Sequence, residues 1–143
     1  MAAFRVAKPQ DAEALKRLND EFNGEDCNTV EGIAMTLAQN PQEIVCIAEN
    51  NGIAVGFVCG QIVKSMCYNT LHGEITELYV MKQHRRGGIG RGLMEFMESE
   101  FRKRGIQKLQ LLTGDDNDTA LRFYHACGYQ DTTELQLCKR IGR

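Results

Sequence analysis

The chain has no tryptophan, two prolines and no apolar run approaching the 18 residues that a membrane-spanning helix needs. Its first nine residues place Arg5 and Lys8 inside an alternating pattern rather than ahead of an apolar stretch, so neither a signal peptide nor a membrane anchor is expected. No Cys-x-x-Cys pair occurs among Cys27, Cys46, Cys59, Cys67, Cys127 and Cys138. His72, His84 and His125 do not fall at zinc-ligand spacings either. No metal is therefore expected, and the cysteines read as buried, reduced thiols of a cytoplasmic protein. No Gly-Lys dipeptide exists, which excludes a Walker phosphate loop. A pI near 5.9 and the lack of a basic stripe leave no footprint for nucleic acid.

The 143 residues, 43% hydrophobic and 25% charged, suit one globular domain spanning 1–143. The net charge of −2 conceals a division: residues 1–80 carry −6 and residues 81–143 carry +4. An acidic first half and a basic second half raise the question of which cation and which anion they serve.

Hydrophobic periodicity orders the elements. A short strand around Phe4 and Val6 precedes a helix opened by Pro9 and Asp11, with Ala12, Leu15, Leu18 and Phe22 on one face and a stop near Gly24. A second helix is expected over 29–38. Strands follow at 44–48 and 53–64, joined by the hairpin turn Asn50-Asn51-Gly52, and another runs over 74–80. The pattern then predicts a helix over 89–104, a strand over 108–113, a short helix over 118–127 closed by Gly128, and a last strand over 134–141. The resulting order, β-α-α-β-β-β-α-β-α-β, predicts an α/β (α+β) fold with a mixed, mostly antiparallel sheet and helices on both faces.

The helix over 89–104 lacks an ordinary cap. Where Ser, Thr, Asp or Asn would accept its first free N–H groups, the chain offers Arg86-Gly87-Gly88-Ile89-Gly90, flanked by Lys82, Arg85 and Arg91. Converging N–H groups, a helix dipole and mobile cations suit a pyrophosphate. The dinucleotide fingerprint does not fit, because Gly88-x-Gly90-x-Gly92 brings the third glycine one residue early and follows antiparallel strands.

The stretch Glu74-Ile75-Thr76-Glu77-Leu78-Tyr79-Val80 with Arg85-Arg86-Gly87-Gly88-Ile89-Gly90 resembles the strand and the [QR]-x-x-G-x-[GA] acyl-CoA loop of the GNAT superfamily of N-acetyltransferases. Asn117, Ala120, Phe123, Tyr124, Gly128 and Tyr129 are similar to its N-x-x-A-x-x-F-Y-x-x-x-G-[FY] segment. The resemblance implies acetyl-CoA as cofactor and a primary amine as acceptor, with direct transfer between them. It assigns the cofactor to the 85–91 turn, to Asn117 and to the backbone of Leu78, Tyr79 and Val80, which would pair with the pantetheine arm like an added strand. It further implies Tyr124 as the acid that meets the leaving thiolate, and Glu77, or else Glu74, as the base. On a regular strand these two glutamates face opposite sides, so one alone faces the substrate unless a bulge intervenes. The acidic first half suggests a cationic small molecule of the aminoglycoside or polyamine type. The alternatives are a protein or peptide acceptor, at an N-terminus or lysine, and a non-catalytic acyl-CoA-binding module. Dimers are common in the family, so a homodimer belongs among the expectations.

Overall fold

The computed structural model describes all 143 residues. They separate into two compact units, Met1–Leu112 and Thr113–Arg143.

The first unit is built on one five-stranded sheet in the sequential order β1 (Ala2–Val6), β2 (Glu43–Asn50), β3 (Ile53–Lys64), β4 (Leu71–Val80), β5 (Leu109–Leu111). The first three pairings are antiparallel, and β4 with β5 is parallel. That one parallel pair follows from the crossover through α3 (Ile89–Lys103), since a tight hairpin cannot join parallel neighbours. Before β2 come α1 (Ala12–Asn23) and α2 (Val30–Gln39). A 3-10 turn, Pro9–Asp11, feeds α1. There the Asp11 carboxylate accepts from the Lys8 amide at 2.7 Å and receives both terminal nitrogens of Arg5 at 2.7 and 2.8 Å. The Thr29 hydroxyl caps α2 by accepting from the Gly32 amide at 3.0 Å.

Helices cover both faces. Leu15 and Leu18 of α1 join Val45, Ile47, Ala54, Phe57 and Cys59 in one cluster, with Ile33 and Leu37 of α2 at its border. On the opposite face α3 lies so close that a β-carbon on Gly60 or Gly73 would stand 2.6 or 2.9 Å, respectively, from the Phe101 ring. Phe101, Leu93, Met94 and Met97 are buried there.

The second unit holds α4 (Asp118–Ala126), capped by Asn117 and closed by Gly128, whose φ of +97° suits a residue without a β-carbon.

Two expectations need correction. The final strand over 134–141 does not form: no residue beyond α4 is helix or strand, and Leu135, Leu137 and Ile141 are 86, 89 and 92% exposed. Alternation says which side chains would share a face, but a strand also needs an edge to bond, and none receives this one. The thiols are not uniformly buried either. Cys46 and Cys59 are, whereas Cys27, Cys67 and Cys138 are exposed and Cys127 is intermediate. Burial raises the Cys46 thiol to about 12, and it lifts the Cys59 thiol well above its ordinary value with help from Glu43 and Glu77, so both stay protonated.

Candidate active site

Strand β4 organises the site. Its pairing with β3 runs from Leu71 to Val80 but slips one residue between Cys59 and Gly60, where Cys59 opposes Glu77 and Gly60 opposes Ile75. Thr76 is the extra residue. Its hydroxyl donates to the Cys59 carbonyl at 3.3 Å, which satisfies an oxygen at the break in the ladder. The bulge inverts the parity of everything after it. Glu74 opposes Gln61 and Glu77 opposes Cys59, and those two partners are two apart on β3 and share the α1/α2 face. Both glutamates therefore stand on the same side of the sheet.

A third carboxylate joins them. Glu43 of β2 opposes Gln61, making a cross-strand row of Glu43, Gln61 and Glu74. Burial raises the Glu43 carboxyl above its ordinary value; the hydrogen bond from Gln61 opposes that, and the charge of Glu77 adds to it. Sequence reading missed Glu43. Its parity with Val45 and Ile47 was available, but the register that sets it beside Gln61 was not.

The free side of β4 is the second feature. Pairing with β5 covers only Gly73, Glu74 and Ile75, so the β5-side edge from Thr76 through Val80 pairs with no strand of the sheet. Tyr79, next to the end of this stretch, stacks on Phe22 at 5.1 Å, and its hydroxyl donates to Glu21 of α1 at 3.2 Å. Burial, then Glu21, hold its phenol above the usual value.

The third feature is the turn into α3. Met81 donates to the Val55 carbonyl at 2.8 Å, and a 3-10 turn, Lys82–His84, follows. Arg86 has φ +68° and Gly88 φ +86°; a left-handed arginine is uncommon and costs on the order of 1 kcal/mol. The two kinks leave α3 starting at Ile89 with no side-chain cap, its first amides directed into an exposed glycine turn. A β-carbon on Gly88 would meet nothing within 4 Å, so the space beside this backbone is open. Gly92, by contrast, packs against the Phe4 ring and serves the core. The arginines divide their work. Arg85 turns back: its Nε donates to the Val80 carbonyl at 2.8 Å and its guanidinium lies 5.6 Å above the Tyr79 ring, a cation–π brace. Arg91 pairs with Glu95 at 3.1 Å on the exposed side of α3. Lys82 and Arg86 are exposed around the turn.

In the second unit Asn117 Oδ1 accepts from the Ala120 amide at 3.2 Å, so this side chain is a helix cap. Tyr124 is half-buried, with its ring 5.2 Å from Phe123 and 6.1 Å from Tyr129 in edge-on contacts. A surface hollow of about 450 Å³ between α2, Val6 and Glu43 lies away from the α3 turn and contains none of the expected cofactor residues.

The residues thus fit an extended acyl thioester carrier on two structural counts: an unpaired strand edge, and an uncapped helix terminus in an open cationic turn. Comparison with known proteins agrees. The model of the acetyltransferase (GNAT) family matches residues 12–129. Among solved structures, ribosomal-protein-alanine N-acetyltransferase from Brucella melitensis biovar Abortus 2308 superposes with a TM-score of 0.83 at 19% identity, covering 99% of this chain and 100% of its own. Aminoglycoside acetyltransferase meta-AAC0020 from an uncultured soil metagenomic sample, in complex with sisomicin, gives 0.86 at 18%, covering 99% and 97%. Aminoglycoside N-acetyltransferase AAC(6')-Iy in complex with CoA gives 0.84 at 15%, covering 99% and 96%. At these identities the likeness is one of fold.

Proposed function

The chain belongs to the GNAT family of acetyltransferases, with acetyl-CoA as donor, and from that footing we propose that it acetylates a primary amine of a cationic small molecule, of the aminoglycoside or polyamine type. The observation that carries the choice of acceptor is the bulge at Thr76, which sets Glu74 and Glu77 on one face with Glu43 nearby. Three carboxylates facing one way favour an acceptor with more than one positive charge.

An alkyl ammonium with a pKa of about 10.4 is free base in only about one molecule per thousand at neutral pH, so a proton must be removed before attack. Glu77 takes that proton, and Glu74 is the second candidate on the same face. The uncapped amides of Ile89, Gly90 and Arg91, with Gly87, Gly88 and the charge of Arg86, would hold the cofactor's pyrophosphate. The backbone from Leu78 to Val80 would align its pantetheine arm. Bound there, acetyl-CoA supplies a thioester carbonyl already activated for attack. Arg85 contributes as a brace that fixes the β4 end of the turn. By the family resemblance, Tyr124 is the residue whose hydroxyl would donate to the departing sulfur. Full proton transfer from a phenol (pKa about 10) to a thiolate (about 8.5) is uphill by roughly 2 kcal/mol, so its part is a strengthening hydrogen bond.

The test is coenzyme A release across a panel of aminoglycosides, polyamines, neutral amino compounds and peptides with free N-termini or lysines. Faster turnover of polycations, slowing as salt is raised, is the expected result. Equal turnover of neutral amines without salt dependence removes the cationic acceptor. Turnover of peptides alone assigns the protein acceptor instead.

A further inference from the structure

The hollow of about 450 Å³ beside Val6 and Glu43 takes no part in acetyl transfer as proposed above, and it lies wholly within the first unit. Its size is that of a small-molecule pocket. Three elements wall it: the C-terminal turn of α2, the start of β2 where β1 ends, and the end of α3, which contributes Arg104.

The end of α2 is left open by its own sequence. The carbonyls of Leu37, Ala38 and Gln39 could be met only by amides three or four residues further on. None arrives. Pro41 has no N–H, Asn40 gives its amide to the Thr36 carbonyl at 2.9 Å, Gln42 gives its own to Asn40 Oδ1 at 3.3 Å, and Glu43 donates to the Asn40 carbonyl at 3.2 Å. No basic side chain stands in that last turn either. Three carbonyls and the negative end of the helix dipole are therefore directed along the axis toward the segment that carries Glu43. Glu43 is half-buried, and burial disfavours its charged form. An ammonium group would satisfy the carbonyls and the carboxylate together.

Arg104 supplies the opposite charge. It belongs to the α3 side of the sheet, whereas Glu43 shares the α1/α2 side with Val45 and Ile47, and the two make no ion pair with each other. Arg104 is held instead by the Glu100 carbonyl at 2.8 Å and Glu100 Oε1 at 3.2 Å. Both bonds use Nη1, so Nη2 carries none within the chain. Walls of opposite charge that do not neutralise one another fit a molecule that bears both charges.

We propose that this hollow is a second ligand site, one that takes a free amino acid, with its ammonium against the α2 carbonyls and Glu43 and its carboxylate on Arg104. Titration calorimetry on the full chain, with glycine, alanine, glutamate and γ-aminobutyrate as probes, is expected to show one bound molecule per chain for at least one of them. Ethylamine and acetate, each with a single charge, should bind at least about tenfold more weakly. Glu43→Gln and Arg104→Gln should each weaken the amino acid by about tenfold or more. Ala38→Trp fills the hollow from an exposed position and alters neither charge, so it should remove binding with an unaltered circular dichroism spectrum; it keeps the test decisive should Arg104→Gln not fold. Saturating coenzyme A should leave the affinity unchanged. No heat from any probe up to about 10 mM, ethylamine binding as well as the amino acids, binding that survives Ala38→Trp, or displacement by coenzyme A each overturns the proposal. None of these readouts measures turnover, so they stand or fall apart from the acceptor assignment.

Discussion

The two faces of the sheet are packed for different ends. On the α3 side the strands offer Gly56, Gly60 and Gly73, and Leu93, Met97 and Phe101 come down onto the bare backbone. The single charged group buried on that helix, Glu100, is met by Lys103 at 2.8 Å and Arg104 at 3.2 Å. On the α1/α2 side the apolar cluster gives way along the strands to Gln61 and three glutamates, one of them pushed toward its neutral form by burial and by a like charge. One face is settled for stability; the other keeps like charges together, where the proposed proton removal would use them. That contrast can be tested from its strong end to its weak one.

The largest effect is expected on the closed face. Phe101→Ala should cost about 3–5 kcal/mol of unfolding free energy, read from urea midpoints at constant m-value, because its ring fills the space that Gly60 and Gly73 leave. A loss under about 1 kcal/mol would mean that this face collapses freely. On the open face the loss should fall on rate. Glu77→Gln should lower kcat by about 10²-fold with stability little changed, and a larger loss in Glu74→Gln would exchange their roles. At the turn, Gly88→Asp should abolish acetyl-CoA binding by calorimetry. The space beside Gly88 is open and aspartate is among the residues that can adopt a left-handed φ, so the effect comes from a carboxylate taking the helix N-terminus that the pyrophosphate would use and repelling it.

The smallest effect has opposite signs on the two faces. Lys103, then Arg104, hold the Glu100 carboxyl below its ordinary 4.5, so its stabilisation is complete above the unfolded value and is lost as pH falls through the lower folded one. Glu43 is raised, so its ionisation costs stability once pH climbs above the unfolded 4.5. Near neutral pH, Glu100→Gln should therefore lower the melting temperature and Glu43→Gln should raise it, each by the equivalent of about 1 kcal/mol or less. Below about pH 4 both differences should shrink. Shifts of the same sign would erase the distinction between the faces.

Much of this architecture could be read from local pattern. The apolar stripe Ile89, Leu93, Met97, Phe101 announced α3, and the missing cap before it announced the open turn, because both depend on residues close together in the chain. What depends on register was not readable. Glu74 and Glu77 share a face only because Thr76 is an extra residue against β3, and Glu43 joins them only because β2 and β3 meet at Gln61. The turn arginines show the same limit at the level of side chains. Composition places Arg85 among the cations of the turn, but it does not show that its Nε also donates to the Val80 carbonyl. The strand at 134–141 was legible as a pattern and still failed, since pairing needs a second party.

The short pairing of β4 with β5 has a kinetic side. From Thr76 to Val80, alternate backbone amides point away from β3 toward an edge that β5 does not close, although the strand itself sits in the middle of the sheet. Those amides should trade hydrogen for deuterium at rates usual for a loop, while their neighbours bonded to β3 exchange slowly. Addition of coenzyme A should then quiet every second position along one strand, a comb-like signature that records where the carrier lies without any turnover being measured.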